Sequence, residues 1–331
     1  MNPGDAMKLS RRRLLSLAAG GAALPALSRV AWAQAYPSRP VRVLEGFGGG
    51  SSADLSARLI GQWLSDRLGQ HFVIENRPGA GSNIATEAVV RAAPDGYTLL
   101  TCVTANAINA TLYEKLNFNF LRDIAPVAGL LRLSLVLLVN PSIAARTLPE
   151  FIAYAKANPG KMNIASPGNG SGPHVAGELL KMMAGINIVH VPYRGPAPAF
   201  TDLISGQVQV TFGALPAAIG YIRAGELRAL AVTSATRSSE LPDLPAVAEF
   251  VLGYEASGWI GIGAPRGTPA TIIDTLSSNI TAGLADPQLK ARVKDLGADP
   301  MPMTPTEFGR FMADETEKWA KVVKFSGAKA E

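Results

Sequence analysis

Short apolar runs alternate with helical patterns along this chain, joined by loops of a few residues, and the alternation starts twice. Val41 to Phe47 reads as a strand and Ala53 to Leu68 as a helix with Leu55, Leu59, Trp63 and Leu68 on one side. Phe72 to Glu75 is the next strand. Asn83 to Ala93 is a helix stopped by Pro94-Asp95-Gly96, and Tyr97 to Val103 is a third strand. Strand, helix, strand, helix, strand with brief connections calls for a parallel sheet covered on both faces. The apolar run Val127 to Val139, bracketed by Pro126 and Pro141, is expected to cross into a second lobe.

There Thr147-Leu148-Pro149-Glu150 forms a capping box with proline in the first turn. Strands at Met162 to Ser166, Ile188 to Val191, Val208 to Phe212 and Leu227 to Val232 then alternate with helices at His174 to Ala184, Ala197 to Ser205 and Ile219 to Arg223. Glu255 to Ala264 is strand-like and is expected to cross back. Helices starting at Thr268-Pro269, Asp286-Pro287 and Thr304-Pro305-Thr306-Glu307, the last reaching Val323, should pack on the first lobe with no fresh series of strands. The expected fold is α/β and two-lobed, each lobe a mainly parallel sheet flanked by helices, with a ligand cleft between them. Residues 36–126 and 262–331 make lobe 1 and 127–261 lobe 2, with crossovers near 126–140 and 254–264.

Two glycine-rich stretches stand where a strand hands over to a helix: Gly46 to Asp54 in the first lobe and Asn163 to His174 in the second. A helix start leaves backbone N–H groups unpaired and carries partial positive charge, and glycine lets a ligand approach them, so both stretches suit an anion. The first lacks the lysine of a phosphate loop and fits the dinucleotide glycine spacing only in part. Neither Ser166 nor Ser171 has the flanking glycines of a nucleophile elbow. His174 and His190 lack zinc-ligand spacing, so no metal or other cofactor is expected.

The candidate ligand contacts are Phe47, Gly48, Gly49, Gly50, Ser51, Ser52 and Asp54 in the first loop, and Ser166, Gly168, Asn169, Gly170, Ser171 and His174 in the second. Asn106 joins them as a residue just past the third strand, on the carboxyl edge where open α/β sheets bind ligands. Tyr193 closes a following strand and Asp202 lies on the next helix. For each there is a plainer alternative: helix capping for Asn106, a turn at Tyr193-Arg194-Gly195-Pro196, a solvated carboxylate for Asp202 and loop ordering for His174.

At the N-terminus Lys8 and Arg11-Arg12-Arg13 precede the apolar run Leu14 to Leu27, and Ala31-Trp32-Ala33 offers a cleavage site. Residues 1–33 read as a twin-arginine export signal, with a general secretory signal or a membrane anchor as alternatives. The segment holds five of the 31 basic residues and one of the 26 acids, so the remaining chain is close to neutral. It has no global field to attract nucleic acid. Cys102, the only cysteine, falls in a strand-like run and reads as a buried, inert thiol.

Four ordered motifs then converge: Glu75-Asn76-Arg77-Pro78-Gly79-Ala80-Gly81, Ala93-Pro94-Asp95-Gly96-Tyr97-Thr98-Leu99-Leu100, Ser166-Pro167-Gly168-Asn169-Gly170-Ser171-Gly172-Pro173-His174 and His190-Val191-Pro192-Tyr193-Arg194-Gly195. In these the chain resembles the Bug family, the periplasmic solute receptors of tripartite tricarboxylate transporters. The resemblance implies a periplasmic-binding-protein fold of the type II kind that closes like a Venus flytrap on a small organic carboxylate, without catalysis. Phe47 to Ser52 would be one jaw and Ser166 to Ser171 the other, and the partners would be membrane transporter subunits, with the receptor a monomer. One departure is local: the family usually has proline and two glycines where Gly49, Gly50 and Ser51 stand here, and proline where Gly46 stands. Two other readings stay open at this point. One is a periplasmic hydrolase using Ser171 and His174 on a carboxylate ester; the other is a receptor that presents its ligand to a sensor kinase.

Overall fold

The computed structural model describes residues 36–238 and 241–330, so the expected export signal at 1–33 lies outside the described residues. The chain divides between Tyr36 and Pro37, and the unit from Pro37 onward carries all that follows.

Two sheets form. In the first, β1 (Val41–Glu45) is parallel to β2 (Phe72–Asn76) and to β3 (Thr98–Val103). The first helices between them are α1 (Ser52–Leu68) and α2 (Asn83–Val90); after β3 come α3 (Thr104–Leu112) and the short α4 (Phe120–Asp123). Then β4 (Ile124–Leu133) runs in the first sheet, and β5 (Leu135–Val139) in the second. The second lobe continues with α5 (Leu148–Ala157), β6 (Asn163–Ser166), α6 (Gly172–Ala184), β7 (Val189–Pro192), α7 (Pro196–Ile204), β8 (Val210–Ala214), α8 (Leu215–Arg223) and β9 (Arg228–Val232). The chain returns as β10 (Gly258–Pro265), followed by α9 (Ala270–Ala285), α10 (Pro287–Asp295), β11 (Asp299–Met303) and α11 (Pro305–Ser326). Strand order is β11-β4-β10-β3-β1-β2 in one sheet and β7-β6-β8-β5-β9 in the other.

Each sheet therefore has a parallel half that carries the strand-to-helix loops and an antiparallel half built by the crossing strands. β10 is antiparallel to both β3 and β4, and β5 to both β8 and β9. β3, in the middle of its sheet, is covered on both faces, with Leu99, Leu100 and Cys102 fully buried. Burial also pushes the Cys102 thiol well above its ordinary range, so it stays a neutral packing group.

Three features differ from the sequence reading. The run Val127 to Val139 is two strands that break at Ser134, and both are mostly apolar, Arg132 apart, because each lies inside its own sheet. The chain changes sheet at Ser134 and again at Ser257, where Gly258 pairs with Leu133, so residues 127–133 and 258–261 belong with the first sheet rather than with lobe 2. β11, which pairs only with β4, is an added edge strand; Pro300 and Pro302 are tolerated because an edge needs bonds on one side only.

The last helix ties the halves together. The Thr304 side chain accepts from the Glu307 N–H, and the Glu307 carboxylate takes the Thr304 N–H at 2.8 Å, a reciprocal cap that fixes where α11 starts. Its buried stripe, Phe308, Met312, Glu315, Trp319, Val322 and Val323, packs on β4 and α3 of the first lobe and on α6 of the second. Glu315 is an acid on an apolar face, and its partners explain why. Its Oε2 accepts the indole N–H of Trp259 at 2.9 Å and of Trp319 at 2.8 Å, and Lys318 pairs with Oε1.

Candidate functional site

The first loop is held from beneath. Ser51 caps α1 by accepting the Asp54 N–H at 3.1 Å, and Gly50 takes a left-handed φ of 84° to lead into it. Gly46 is buried against Ser82, whose Oγ would lie 2.1 Å from any Cβ at position 46. A Cβ at this position would require Ser82 to shift. The Phe47 N–H donates to Glu45 Oε2 and the Gly50 N–H to Asp54 Oδ2, each at 2.9 Å. The Asn76 amide bridges the two acids, donating to Glu45 Oε2 at 3.0 Å and Asp54 Oδ1 at 2.8 Å, and Arg58 pairs with Asp54. Burial raises the Glu45 carboxyl, and the neighbouring Asp54 raises it further, against hydrogen bonds that lower it. At Asp54 burial acts upward too, but Arg58, the Gly50 N–H and Asn76 outweigh it and hold the group below its ordinary value. Asp54 is thus the member of the pair whose charge the surroundings favour, and it braces the loop rather than facing the cleft.

A stack of two histidines holds the second loop. Gly168 and Gly170 take φ of 134° and 74°, and Ser171 caps α6 by accepting the His174 N–H. The Ser171 hydroxyl donates to Gly168 O at 2.7 Å, and the Gly170 N–H donates to His174 Nδ1 at 3.0 Å. His174 lies over His190 with ring centroids 3.9 Å apart, and His190 Nε2 meets the fully buried Ser166 Oγ at 2.6 Å. Burial, then the facing His190, then Lys181 depress His174 to about 3; burial and Lys181 depress His190 to about 4. Both rings are neutral at physiological pH, and Nδ1 of His174 is an acceptor, which leaves its proton on Nε2. The His174 ring therefore fixes a loop N–H, while the Ser171 hydroxyl donates to Gly168 O rather than to that ring.

Between the loops lies a cleft of about 770 Å³. Phe47, Ser51 and Ser52 line it from the first loop, and Gly168, Asn169, Gly170 and Ser171 from the second, with Tyr193 beside them. Gly48, Gly49 and Gly50 form the exposed tip of the first loop outside the lining. Asp54, Asn106, Ser166 and His174 are buried behind the wall. Asn106 accepts the Val103 N–H at 2.8 Å and donates to Thr86, so it caps the start of α3. Asp202 stands behind Tyr193, whose hydroxyl donates to it at 2.7 Å; burial first, then that bond, raise the phenol to about 12.

Sequence reasoning missed the opposite wall. Ile108, Leu112 and Tyr113 of α3 and its end face the loops, Leu133 and Leu135 of the crossing form the floor, and Ala80 and Gly81 close one side. The left-handed turn at Ala80, Gly81 and Ser82, with φ of 46°, 59° and 77°, contains every non-glycine residue of positive φ among the described residues. The Asn109 amide holds it by donating to Gly81 O at 2.7 Å. The two lobes meet where a Cβ on Gly170 would lie 2.3 Å from Leu112 Cδ2. Five helices begin at this lining, after Ser51, Val103, Ser171, Gly195 and Ala214, so their positive ends converge on it. Among the described residues no group of three or more His, Cys, Asp and Glu is placed to hold a metal ion.

The tripartite tricarboxylate transporter family receptor pattern, TctC, matches residues 56–327. The chain belongs to this family. BugT of Bordetella pertussis is 38% identical over 302 residues, which cover 90% of this chain and 92% of BugT. Among solved structures, an R. palustris protein with adipate is 36% identical with a TM-score of 0.76, covering 89% of this chain and 99% of its own. The periplasmic binding protein BugD is 32% identical with a TM-score of 0.72, covering 89% and 100%. MatC from Rhodopseudomonas palustris, with bound malate, is 31% identical with a TM-score of 0.71, covering 87% and 100%. The two-lobed α/β architecture of this receptor is the one these relatives share, and the Bug resemblance of its four motifs is that of a family member.

Proposed function

We propose that this receptor works outside the cytoplasm, closes its two lobes on a small organic carboxylate and delivers it to the membrane subunits of a tripartite transporter. The observation that carries the reading is the cleft itself: glycine-rich loops at the starts of α1 and α6 face each other from separate lobes, and five helix starts point at the space between. The loop N–H groups of Phe47, Gly50 and Gly170 are engaged internally, so the carboxylate meets first-turn N–H groups such as those of Ser52, Ala53 and Gly172. Adipate and malate in two relatives supply the ligand class.

Binding replaces turnover in this proposal, because the Ser171 hydroxyl is turned to Gly168 O and the Ser166–His190 pair lies outside the lining of the cleft. Export by residues 1–33 would place the mature chain in the periplasm, and no described helix is long and apolar enough to cross a membrane. The protein is taken to act as a monomer. Isothermal titration of the mature protein with a panel of mono-, di- and tricarboxylates tests the reading. At least one acid should bind with micromolar affinity or better and raise the melting temperature; no binding by any acid would end it.

A further inference from the structure

The cleft is poor in charge. Among the described residues that line it, Arg194 alone carries a charged side chain, and it is exposed. It sits on the second-loop side, since the Tyr193 N–H donates to Ser166 O at 2.9 Å and the Gly195 N–H to Pro167 O at 3.3 Å. The one cation of the lining therefore stands beside the second glycine loop. The facing wall, Ile108, Leu112 and Tyr113 with the floor at Leu133 and Leu135, has no ionisable group apart from the Tyr113 phenol.

Most hydrogen-bonding side chains in the lining are already engaged. The Asn109 amide donates to Gly81 O and to Asn83 Oδ1, the Tyr193 hydroxyl donates to Asp202, Ser171 donates to Gly168 O, and Thr104 Oγ1 accepts the Trp259 N–H. A ligand hydroxyl or a second carboxylate laid against α3 would leave water for few partners, chiefly the Tyr113 and Thr104 hydroxyls, which is unfavourable even when the first carboxylate is well held. An apolar body in the same place releases water from both surfaces.

We infer that the preferred ligand carries a single carboxylate on an apolar body, an aromatic or branched aliphatic acid, and that hydroxy acids and tricarboxylates are discriminated against. The inference rests on the carboxylate-receptor reading above and narrows it. Its test is titration calorimetry of the mature protein at pH 7 with benzoate, 4-methylpentanoate, adipate, malate and citrate, repeated at two temperatures. Benzoate or 4-methylpentanoate should bind at least tenfold more tightly than adipate, malate and citrate, with a negative heat-capacity change of binding. Tyr113→Ser should shrink that ratio by weakening the apolar acids more than malate, and its melting curve checks that it folds. Adipate, malate or citrate binding as tightly as both apolar acids overturns the inference and leaves the receptor reading standing. Failure of all five acids to bind overturns both.

Discussion

Gly170 is where the loop, the opposing lobe and the ligand space meet, so Gly170→Ala separates binding from folding. Its φ of 74° is left-handed, and an alanine there is strained by roughly 1–2 kcal/mol. The new Cβ would also lie 2.3 Å from Leu112 Cδ2, while Leu112 Cγ at 3.7 Å and Ile108 Cγ2 at 4.0 Å are ordinary contacts. Only the tip of one leucine must move, which costs about 0.5–1.5 kcal/mol if it leaves its rotamer. The strain is present whether the lobes are together or apart, and it lowers stability. The clash exists only when α3 and the second loop approach, so it opposes closure and weakens ligand binding about two- to twelvefold. Gly48→Ala is the control, because no atom lies within 4 Å of a Cβ there and its φ is not positive. Calorimetric titration with the tightest-binding acid, together with thermal unfolding, measures both effects. Affinity for Gly170→Ala equal to that for Gly48→Ala would refute the closure argument, whatever happens to stability.

The histidine stack predicts an acid sensitivity with a definite sign. The folded values of about 3 and 4 lie below the ordinary 6.5, so as pH falls the unfolded chain takes up protons first. Stability should drop from about pH 6.5 toward pH 3, where the lower of the two folded values lies, by on the order of a few kcal/mol for the pair, and a flat urea midpoint between pH 7 and 5 would contradict it. Glu315→Gln replaces the carboxylate oxygen that both indole N–H groups share with a weaker, neutral acceptor and removes the ion pair of Lys318. Urea denaturation should register a loss of about 2–4 kcal/mol, and a loss below about 0.5 kcal/mol would count against the buried network. Asp54→Asn removes the charge that holds the Gly50 N–H and pairs with Arg58. Ligand affinity should fall severalfold by titration, with exchange of the Gly50 amide becoming faster; unchanged exchange would show that Asp54 does not brace the loop.

The parts of the fold that could be read in advance are those whose signals are local. Ser51, Ser171 and Thr304 each cap a helix with their own side chain, and the strands before and after α1 and α6 are bounded by glycine and polar residues. The break at Ser134 was hidden because strands buried on both faces look continuous, and β11 because two prolines mask an edge pairing. α3 starts after Val103, which has no capping oxygen; the acceptor for the Val103 N–H comes from Asn106, three residues on. At the site, the glycine loops announce themselves as backbone features. The apolar wall does not, because Leu112, Leu133 and Leu135 are indistinguishable in sequence from core leucines until the two lobes are brought together.

The central claim is that the space between the two glycine loops holds a carboxylate as the lobes close. Its most direct measurement is small-angle scattering of the mature protein with and without the tightest-binding acid of the titration panel, paired with mass spectrometry of whatever copurifies. A carboxylic acid is expected in the purified protein, released on denaturation, with a smaller radius of gyration when the ligand-free protein is reloaded. A ligand without a carboxylate, or saturation with an acid that leaves the scattering curve unchanged, would contradict it.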